Sequence, residues 1–246
     1  MTRILVINPN CSETMTATIR RSATGAAPAD TELEVVSTPG APAAIDTPEE
    51  ERAAVTAMLA SPAIPTGAGT PDVVVVACFG DPGVEEIGER TAVPVIGIAR
   101  TTLDHAAATY GTFGILAASE EAVGLMTDLV DRYRLSSACV GVGAIGVGVA
   151  ALDADLWGHW DRITQAAERL VASGAACLCL GCSGLGPVAE RLSAAVGRPV
   201  LDPVSIAVRH AVSFGAAGTC ARRNIHQGPP VRHLTAPGDS VLSLRD

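Results

Sequence analysis

Two of the seven cysteines in this 246-residue chain occupy matching settings. Cys78 follows the apolar run Val73-Val74-Val75-Val76-Ala77 and opens a turn with Phe79-Gly80. Cys182 follows Leu178-Cys179-Leu180-Gly181 and opens a turn with Ser183-Gly184. Pro94-Val95 comes sixteen residues after the first thiol and Pro199-Val200 seventeen after the second. Each proline then reaches a His-Ala pair at the same distance, His105-Ala106 and His210-Ala211. A strand–thiol–turn–helix–strand unit carried twice can aim two thiols at one cleft from opposite sides. That arrangement suits moving a proton from one face of a carbon to the other, with one thiolate as base and the opposing thiol as acid. An ordinary thiol pKa of about 8.5 lets both forms interconvert near neutrality at low cost. Each thiol also precedes a helix, whose free N–H groups stabilise a thiolate and can hold the oxygen of an enolate. A lone cysteine would be read as ordinary buried core; two in repeated strand-end contexts point to function.

The elements that must position these thiols follow from patterning. Arg3–Ile7 is a short apolar strand, Asn8-Pro9-Asn10-Cys11-Ser12 a turn, and Ser12 an N-cap for a helix to about Ser22. Thr31–Ser37 reads as a strand and Ser37–Thr47 as a loop. Pro48 followed by Glu49-Glu50-Glu51 suits a helix start, because acids favour the positive end of the helix dipole. Ser61–Thr70 is a Pro/Gly-rich loop, and Asp72–Ala77, nearly all valine, is a parallel strand buried on both faces. Helices are expected over Pro82–Arg90, Thr101–Thr109, Glu120–Tyr133, Asp155–Ser173, Pro187–Ala195 and Ser205–Phe214. Strands are expected over Pro94–Ile98, Thr112–Ala117, Ala175–Leu180 and Pro199–Leu201. Ser137–Val149 is glycine-rich and weakly patterned, and Gly215–Asp246 reads as a partly ordered tail. Alternating strands and helices give an α/β fold with mostly parallel sheets. The doubled unit makes it two pseudo-symmetric lobes, 1–100 with 205–246 returning to the first and 101–204 forming the second. The active site is expected in the cleft between them, beyond the carboxyl ends of the strands.

Composition limits what the chain can be. A net charge of −9 removes the basic footprint that nucleic acid requires. No run approaches the roughly 20 apolar residues of a membrane span. Met1–Ile7 is too short and too soon ended by Asn8-Pro9 for a secretory segment. Seven cysteines without a secretion signal favour reduced thiols, so the expected compartment is the cytoplasm.

The segments Ile4-Leu5-Val6-Ile7-Asn8-Pro9-Asn10, Ala77-Cys78-Phe79-Gly80-Asp81-Pro82-Gly83, Val93-Pro94-Val95-Ile96-Gly97-Ile98, Leu180-Gly181-Cys182-Ser183-Gly184 and Pro199-Val200-Leu201-Asp202-Pro203 resemble the aspartate/glutamate/hydantoin racemase superfamily. Within it they resemble the hydantoin racemases, which include allantoin racemases. They run in family order over roughly residues 1–214, and Ala77–Gly83 is the most specific of them. The resemblance implies a racemase without cofactor or metal, acting on a small-molecule substrate, with Cys78 and Cys182 as the acid/base pair. It also implies substrate contacts from Asn10, Phe79, Gly80, Ser183 and Gly184, a site-closing loop at Ala118-Ser119, and a homo-oligomer. Four departures surround the thiols. Cys11-Ser12 stands where the family has Thr-Ser, Ala44-Ile45-Asp46 where it has Ser-Ile-Glu, and Ala118-Ser119 where it often has two threonines. An arginine common in the family is not found in Ala138–Gly146. These changes leave proton transfer intact and put the substrate's side group in question.

Other signals carry less. Cys179-x-x-Cys182 has zinc or redox spacing but lacks a second pair, and Cys177 and Cys179 alternate within a buried strand. Gly141-x-Gly143-x-x-Gly146 matches a dinucleotide fingerprint by letters, with no clear strand before it and no clear helix after. Cys11 sits in the first loop and reads as a serine-like replacement, while Cys139 and Cys220 have no telling context. His105 and His210 reflect the repeat and helix packing. Asp81 either caps a helix or orients the turn or a substrate N–H. Two other functions compete with racemisation of a cyclic ureide. One is a reaction of small carboxylates, as in maleate isomerases or amino-acid racemases; the other is ligand binding without catalysis.

Overall fold

The computed structural model describes residues 1–64 and 71–216. The first half runs β1 (Thr2–Ile7), α1 (Glu13–Ala26), β2 (Thr31–Val36), α2 (Pro48–Ala60), β3 (Val73–Val76), α3 (Val84–Arg90) and β4 (Val95–Gly97). Helix α4 (Ile98–Tyr110) leads into the second half. This continues β5 (Phe113–Ala117), α5 (Glu120–Arg132), β6 (Cys139–Ala144), α6 (Val149–Ala154), α7 (Trp160–Ala172), β7 (Cys177–Leu180), α8 (Ala189–Val196), β8 (Val200–Leu201) and α9 (Pro203–Ala216). Each half forms a four-stranded parallel sheet, in the orders β2-β1-β3-β4 and β6-β5-β7-β8. Counted from its own first strand, each sheet has the same order. β3 and β7 are therefore equivalent, and so are the thiols that follow them.

Burial explains the valine run. All four β3 residues are fully buried, as a strand covered on both faces requires. The largest core cluster joins the two halves, taking in Val6 and Val75 from the first sheet, Leu178 and Leu180 from the second, and Val204 and Val208 from α9. Helix α9 follows the second sheet but packs on α1, α4, β1 and β3. Three side chains start helices beside the junction. Ser12 accepts from Met15 N, Ser119 accepts from Ala122 N, and Thr47 forms a reciprocal capping box with Glu50.

Several boundaries differ from expectation. Cys139–Ala144, weakly patterned in the sequence, is the edge strand β6. Two glycines make room for α7: a Cβ on Gly143 of β6 or on its neighbour Gly114 of β5 would press on Leu170. Gly141 instead takes a positive φ of 152° with no neighbour in the way, so the strand loses its apolar signature for two separate reasons. The Gly141–Gly146 motif thus lies in β6 and its exit, with a short helix after it. The helix expected from Asp155 begins at Trp160, after a 3-10 turn at Trp157–His159 in which Asp155 accepts from Gly158 N at 2.9 Å. Helix α8 is likewise preceded by a 3-10 segment, Ser183–Val188, and starts at Ala189. Gly215 and Ala216 complete α9; the rest of the expected tail, Cys220 and positions 65–70 of the Ser61–Thr70 loop lie outside the described residues. Among the described residues, no helix is long and apolar enough to cross a membrane.

Candidate active site

The carboxyl ends of β1, β3, β5 and β7 border one cavity, whose space with its open mouth is about 920 Å³, enough for a small ring with a substituent. β1 delivers Asn8 and Asn10, both buried. Asn8 Nδ2 donates to Asn10 Oδ1 at 2.7 Å and to Thr16 Oγ1 at 2.9 Å. Ser12 N also donates to Asn10 Oδ1, at 2.9 Å. The Asn10 oxygen is thereby occupied, so its NH₂ group is the part available to a ligand.

β3 delivers Cys78. The turn after it is closed by Asp81 N donating to the Cys78 carbonyl at 3.0 Å, with Asp81 in the left-handed region at φ 52°. The Asp81 side chain accepts from Ala99 N at 2.8 Å, Arg100 N at 2.7 Å and Tyr133 Oη at 2.7 Å. It therefore caps α4, whose own N-cap, Gly97, offers no side chain. A Cβ at Gly97 would overlap the Asp81 carboxyl, which is why glycine stands there. Of the two roles open for Asp81 in the sequence, the geometry supplies helix capping.

β7 delivers Cys182, and the 3-10 segment after it carries Ser183, whose Oγ donates to the Ala77 carbonyl at 3.1 Å. Ala77 immediately precedes Cys78. A Cβ at Gly184 would stand 2.8 Å from Met15 Cε and 3.6 Å from Cys182 Sγ. The absent side chain lets α1 approach the thiol closely. Helix α5 closes the far wall with Ala122, Leu125, Met126 and Leu129, one face at helical spacing.

Both thiols are weak acids here. Burial pushes Cys78 up to about 12; the Gly80 N–H opposes this, while the charges of Cys182, Glu51 and Asp81 add to it. Burial pushes Cys182 up to about 11, opposed by the N–H groups of Gly184 and Leu185 and reinforced by Asp46 and Asp153. The two sulfurs are close enough that an anion at Cys182 raises Cys78. Two thiolates together are therefore disfavoured.

The cavity wall includes Asn10, Cys78, Phe79, Gly80, Cys182 and Ser183. Ser119 and Gly184 stand one layer behind it. Ser119 Oγ donates to Asp46 Oδ1 at 3.2 Å, and Gly184 contributes its N–H to Cys182. The loop at Ala118-Ser119 does border the site, but through Ala118. Four charged residues also stand on the wall, Asp46, Glu51, Asp128 and Arg132, none of them a candidate on sequence grounds. In the sequence Asp46 stands out only as a departure from the family's loop. Glu51 was hidden in a run of three acids, all explained by the helix dipole. Arg132 comes from the end of α5 and not from Ala138–Gly146, the segment in which the resemblance implies an arginine.

The remaining signals fall away from the cavity. Cys11 is exposed and not on its wall. Cys179 faces the cluster under α4 and α5, and Cys182 the cluster shared with the first sheet, so the C-x-x-C spacing does not form a pair. His105 and His210 sit edge-on to Tyr110 and Phe214. Among the described residues, no group of three or more His, Cys, Asp or Glu side chains gathers in metal-binding geometry.

Comparison with known proteins bears on the family and the fold. Residues 4–211 match the family model described as Asp/Glu/hydantoin racemase. The chain is 32% identical over 250 residues to a hydantoin racemase of Rhizobium meliloti, covering 98% of this chain and 99% of that one. It is 31% identical over 229 residues to a hydantoin racemase of Paenarthrobacter aurescens, covering 92% and 97%. Among solved structures it superposes on an allantoin racemase from Klebsiella pneumoniae with a TM-score of 0.82 at 31% identity, covering 89% of each chain.

Proposed function

This chain belongs to the Asp/Glu/hydantoin racemase family, and on that premise we propose that it racemises 5-substituted hydantoins or a related cyclic ureide such as allantoin. Cys78 and Cys182 exchange the proton. The observation that carries the reading is that the two thiols line one cavity from equivalent strand ends, Cys78 with one backbone N–H at its sulfur and Cys182 with two.

The reaction follows from these groups. One thiolate removes the C–H alpha to the ring carbonyl, and the electron pair moves onto the carbonyl oxygen as an enolate. The Asn10 NH₂ group, free of the bonds that occupy its oxygen, donates to a ring oxygen as charge develops. The opposite thiol gives its proton to the far face, forming the other enantiomer and leaving the second sulfur as thiolate. One negative charge moves across the substrate, so the pair never holds two, consistent with their mutual repulsion. The reading invokes no cofactor or metal, because the ring carbonyl itself acidifies the carbon.

The wall charges separate this reading from reactions of small carboxylates. Asp46, Glu51 and Asp128 face the cavity against Arg132 as the one cation among its described lining residues. An anionic substrate would enter against that field, whereas a neutral ureide would not.

Cys78→Ser and Cys182→Ser test the assignment in heavy water, with polarimetry for inversion and proton NMR for exchange. Each variant is expected to lose inversion by about 10²- to 10⁴-fold, the range a general acid/base contributes. Each is also expected to retain exchange with one enantiomer only, the one facing its surviving thiol. Wild-type-like inversion of both enantiomers by either variant would overturn the pairing. A wild-type protein that inverts no chiral hydantoin and no allantoin would overturn the substrate class.

A further inference from the structure

We propose that Glu51 is a specificity-determining residue, accepting hydrogen bonds from N–H groups on the substituent of the substrate's reacting carbon. The proposal rests on the racemase reading above and narrows it to substituents of ureido, amide or ammonium type.

The three acids that open α2 have different fates. Glu49 pairs with Arg52 at 2.8 Å on the surface. Glu50 turns back, its Oε2 accepting from Asp46 N at 2.9 Å and Thr47 N at 3.0 Å. Glu51 points to the cavity wall, half-buried, with no side-chain hydrogen bond among the described residues. Its Oε1 lies 3.7 Å from where a Cβ on Gly80 would stand, which places it beside the Cys78 turn. Arg132 is near enough for its charge to favour the Glu51 carboxylate, yet the two form no ion pair.

The other carboxylate of the wall makes the contrast. Asp46 already holds two donors, Ser119 Oγ and Val149 N, each at 3.2 Å. It latches the first half to the starts of α5 and α6 and has less capacity left for a ligand. Glu51 is the acceptor with capacity to spare. Withdrawing a carboxylate from water without a donor is costly, and burial does push its pKa up. A group kept in that condition at a cavity wall is explained by a donor that arrives with the ligand.

Position selects which part of the ligand. The inner end of the cavity is closed by buried Met15, Ala77 and Ala118. The outer end is rimmed by exposed Asp128 and Arg132 together with Glu51. With the ring between the thiols, a substituent extends towards this rim and meets the Glu51 carboxylate. An alkyl or aryl substituent would leave that carboxylate unpaired, and a carboxylate substituent would be repelled by it.

The test uses the full chain as wild type, Glu51→Gln and Glu51→Leu, with 5-methylhydantoin, allantoin and 5-(4-aminobutyl)hydantoin as substrates. Initial rates of inversion give kcat/KM, and thermal melts report folding. The wild type is expected to favour the two donor-bearing substrates. Glu51→Leu should lower their kcat/KM about 10- to 100-fold more than that of 5-methylhydantoin, mostly through KM, as loss of a hydrogen bond to a charged group does. Glu51→Gln keeps an acceptor oxygen, so it should retain more of the ureido preference than of the ammonium preference. The melting temperature of Glu51→Leu should stay level or rise, because an unpaired carboxylate leaves a half-buried site. Equal slowing of all three substrates, or unchanged ratios, would overturn the role of Glu51 while leaving the racemase reading standing. A wild type inactive on all three would instead remove the racemase reading, and this proposal with it.

Discussion

The two thiol turns do the same job on equivalent strands but are fastened by different means. The Cys78 turn is held by a carboxylate: Asp81 caps α4 at Ala99 and Arg100 and reaches the second half by accepting from Tyr133. The Cys182 turn is held by a hydroxyl: Ser183 reaches out of the second half to the Ala77 carbonyl. Each turn is anchored on the other half of the molecule, so the spacing of the sulfurs is set by how the halves join and not by either half alone. The repeat reproduces the backbone path, while the fastenings were found separately. Their strengths differ, and that difference can be measured.

The largest effect is expected at the first turn. Asp81→Ala would leave two α4 N–H groups and the Tyr133 hydroxyl without their acceptor, at a cost on the order of 2 kcal/mol in urea denaturation. Gly97→Ala should do the same from the other side, because its methyl group displaces the Asp81 carboxyl. Burial raises Asp81 to about 6 from its ordinary carboxylate value. A folded pKa above the unfolded one adds stability that is complete below the unfolded pKa and disappears as pH rises through 6. The penalty of Asp81→Ala should therefore be larger at pH 4.5 than at pH 7.5, by on the order of 2 kcal/mol. A penalty that is independent of pH, or larger at pH 7.5, would show that the carboxylate is not held in this way.

This asymmetry bears on what the sequence could reveal. The strands, their order of appearance and the equivalence of the two thiols were legible, because buried parallel strands write themselves as Val73–Val76 and Cys177–Leu180, and because the turns repeat. β6 was not legible, since glycine interrupts its apolar pattern at Gly143, where Leu170 packs close, and at Gly141, where the backbone takes a positive φ. At the site, residues set by the backbone of the motif could be named: Asn10, Cys78, Gly80, Cys182 and Ser183. Residues set by long-range contact could not. Asp81 looked equally like a substrate ligand until its partners on α4 and α5 were visible. Glu51 was indistinguishable from Glu49 and Glu50 until each had found, or failed to find, a donor. Local patterning reads the supports of a site well, and reads poorly the charges that decide what fits.

A second, intermediate difference concerns the sulfurs. Cys182 has two N–H groups at its sulfur and Cys78 one, and the raised pKa values of about 11 and about 12 fall in that order. Because a thiolate is the base and both pKa values lie above neutrality, kcat/KM for inversion should climb with pH between 7 and 10, approaching about tenfold per unit. Iodoacetamide labelling followed by peptide mass spectrometry should show Cys182 acquiring its thiolate reactivity at lower pH than Cys78. A pH-independent rate over this range would mean that the resting pair already holds its thiolate. Labelling in the reverse order would assign the more acidic sulfur to the first turn.

The smallest effect is expected at the second turn. Ser183→Ala removes one neutral hydrogen bond, from Oγ to the Ala77 carbonyl at 3.1 Å, and should cost about 1 kcal/mol of stability, less than Asp81→Ala. Its functional consequence should nevertheless cross the cavity. The bond ends on the residue before Cys78, so losing it loosens the approach to Cys78, whereas Cys182 keeps the Gly184 and Leu185 N–H groups at its sulfur. In heavy water, exchange of the enantiomer facing Cys78 should slow relative to the enantiomer facing Cys182, with the two identified from the exchange retained in Cys78→Ser and Cys182→Ser. Equal slowing of both would place the fastening of the second turn within its own half, and the reciprocal anchoring of the two turns would then reduce to the single link made by Asp81.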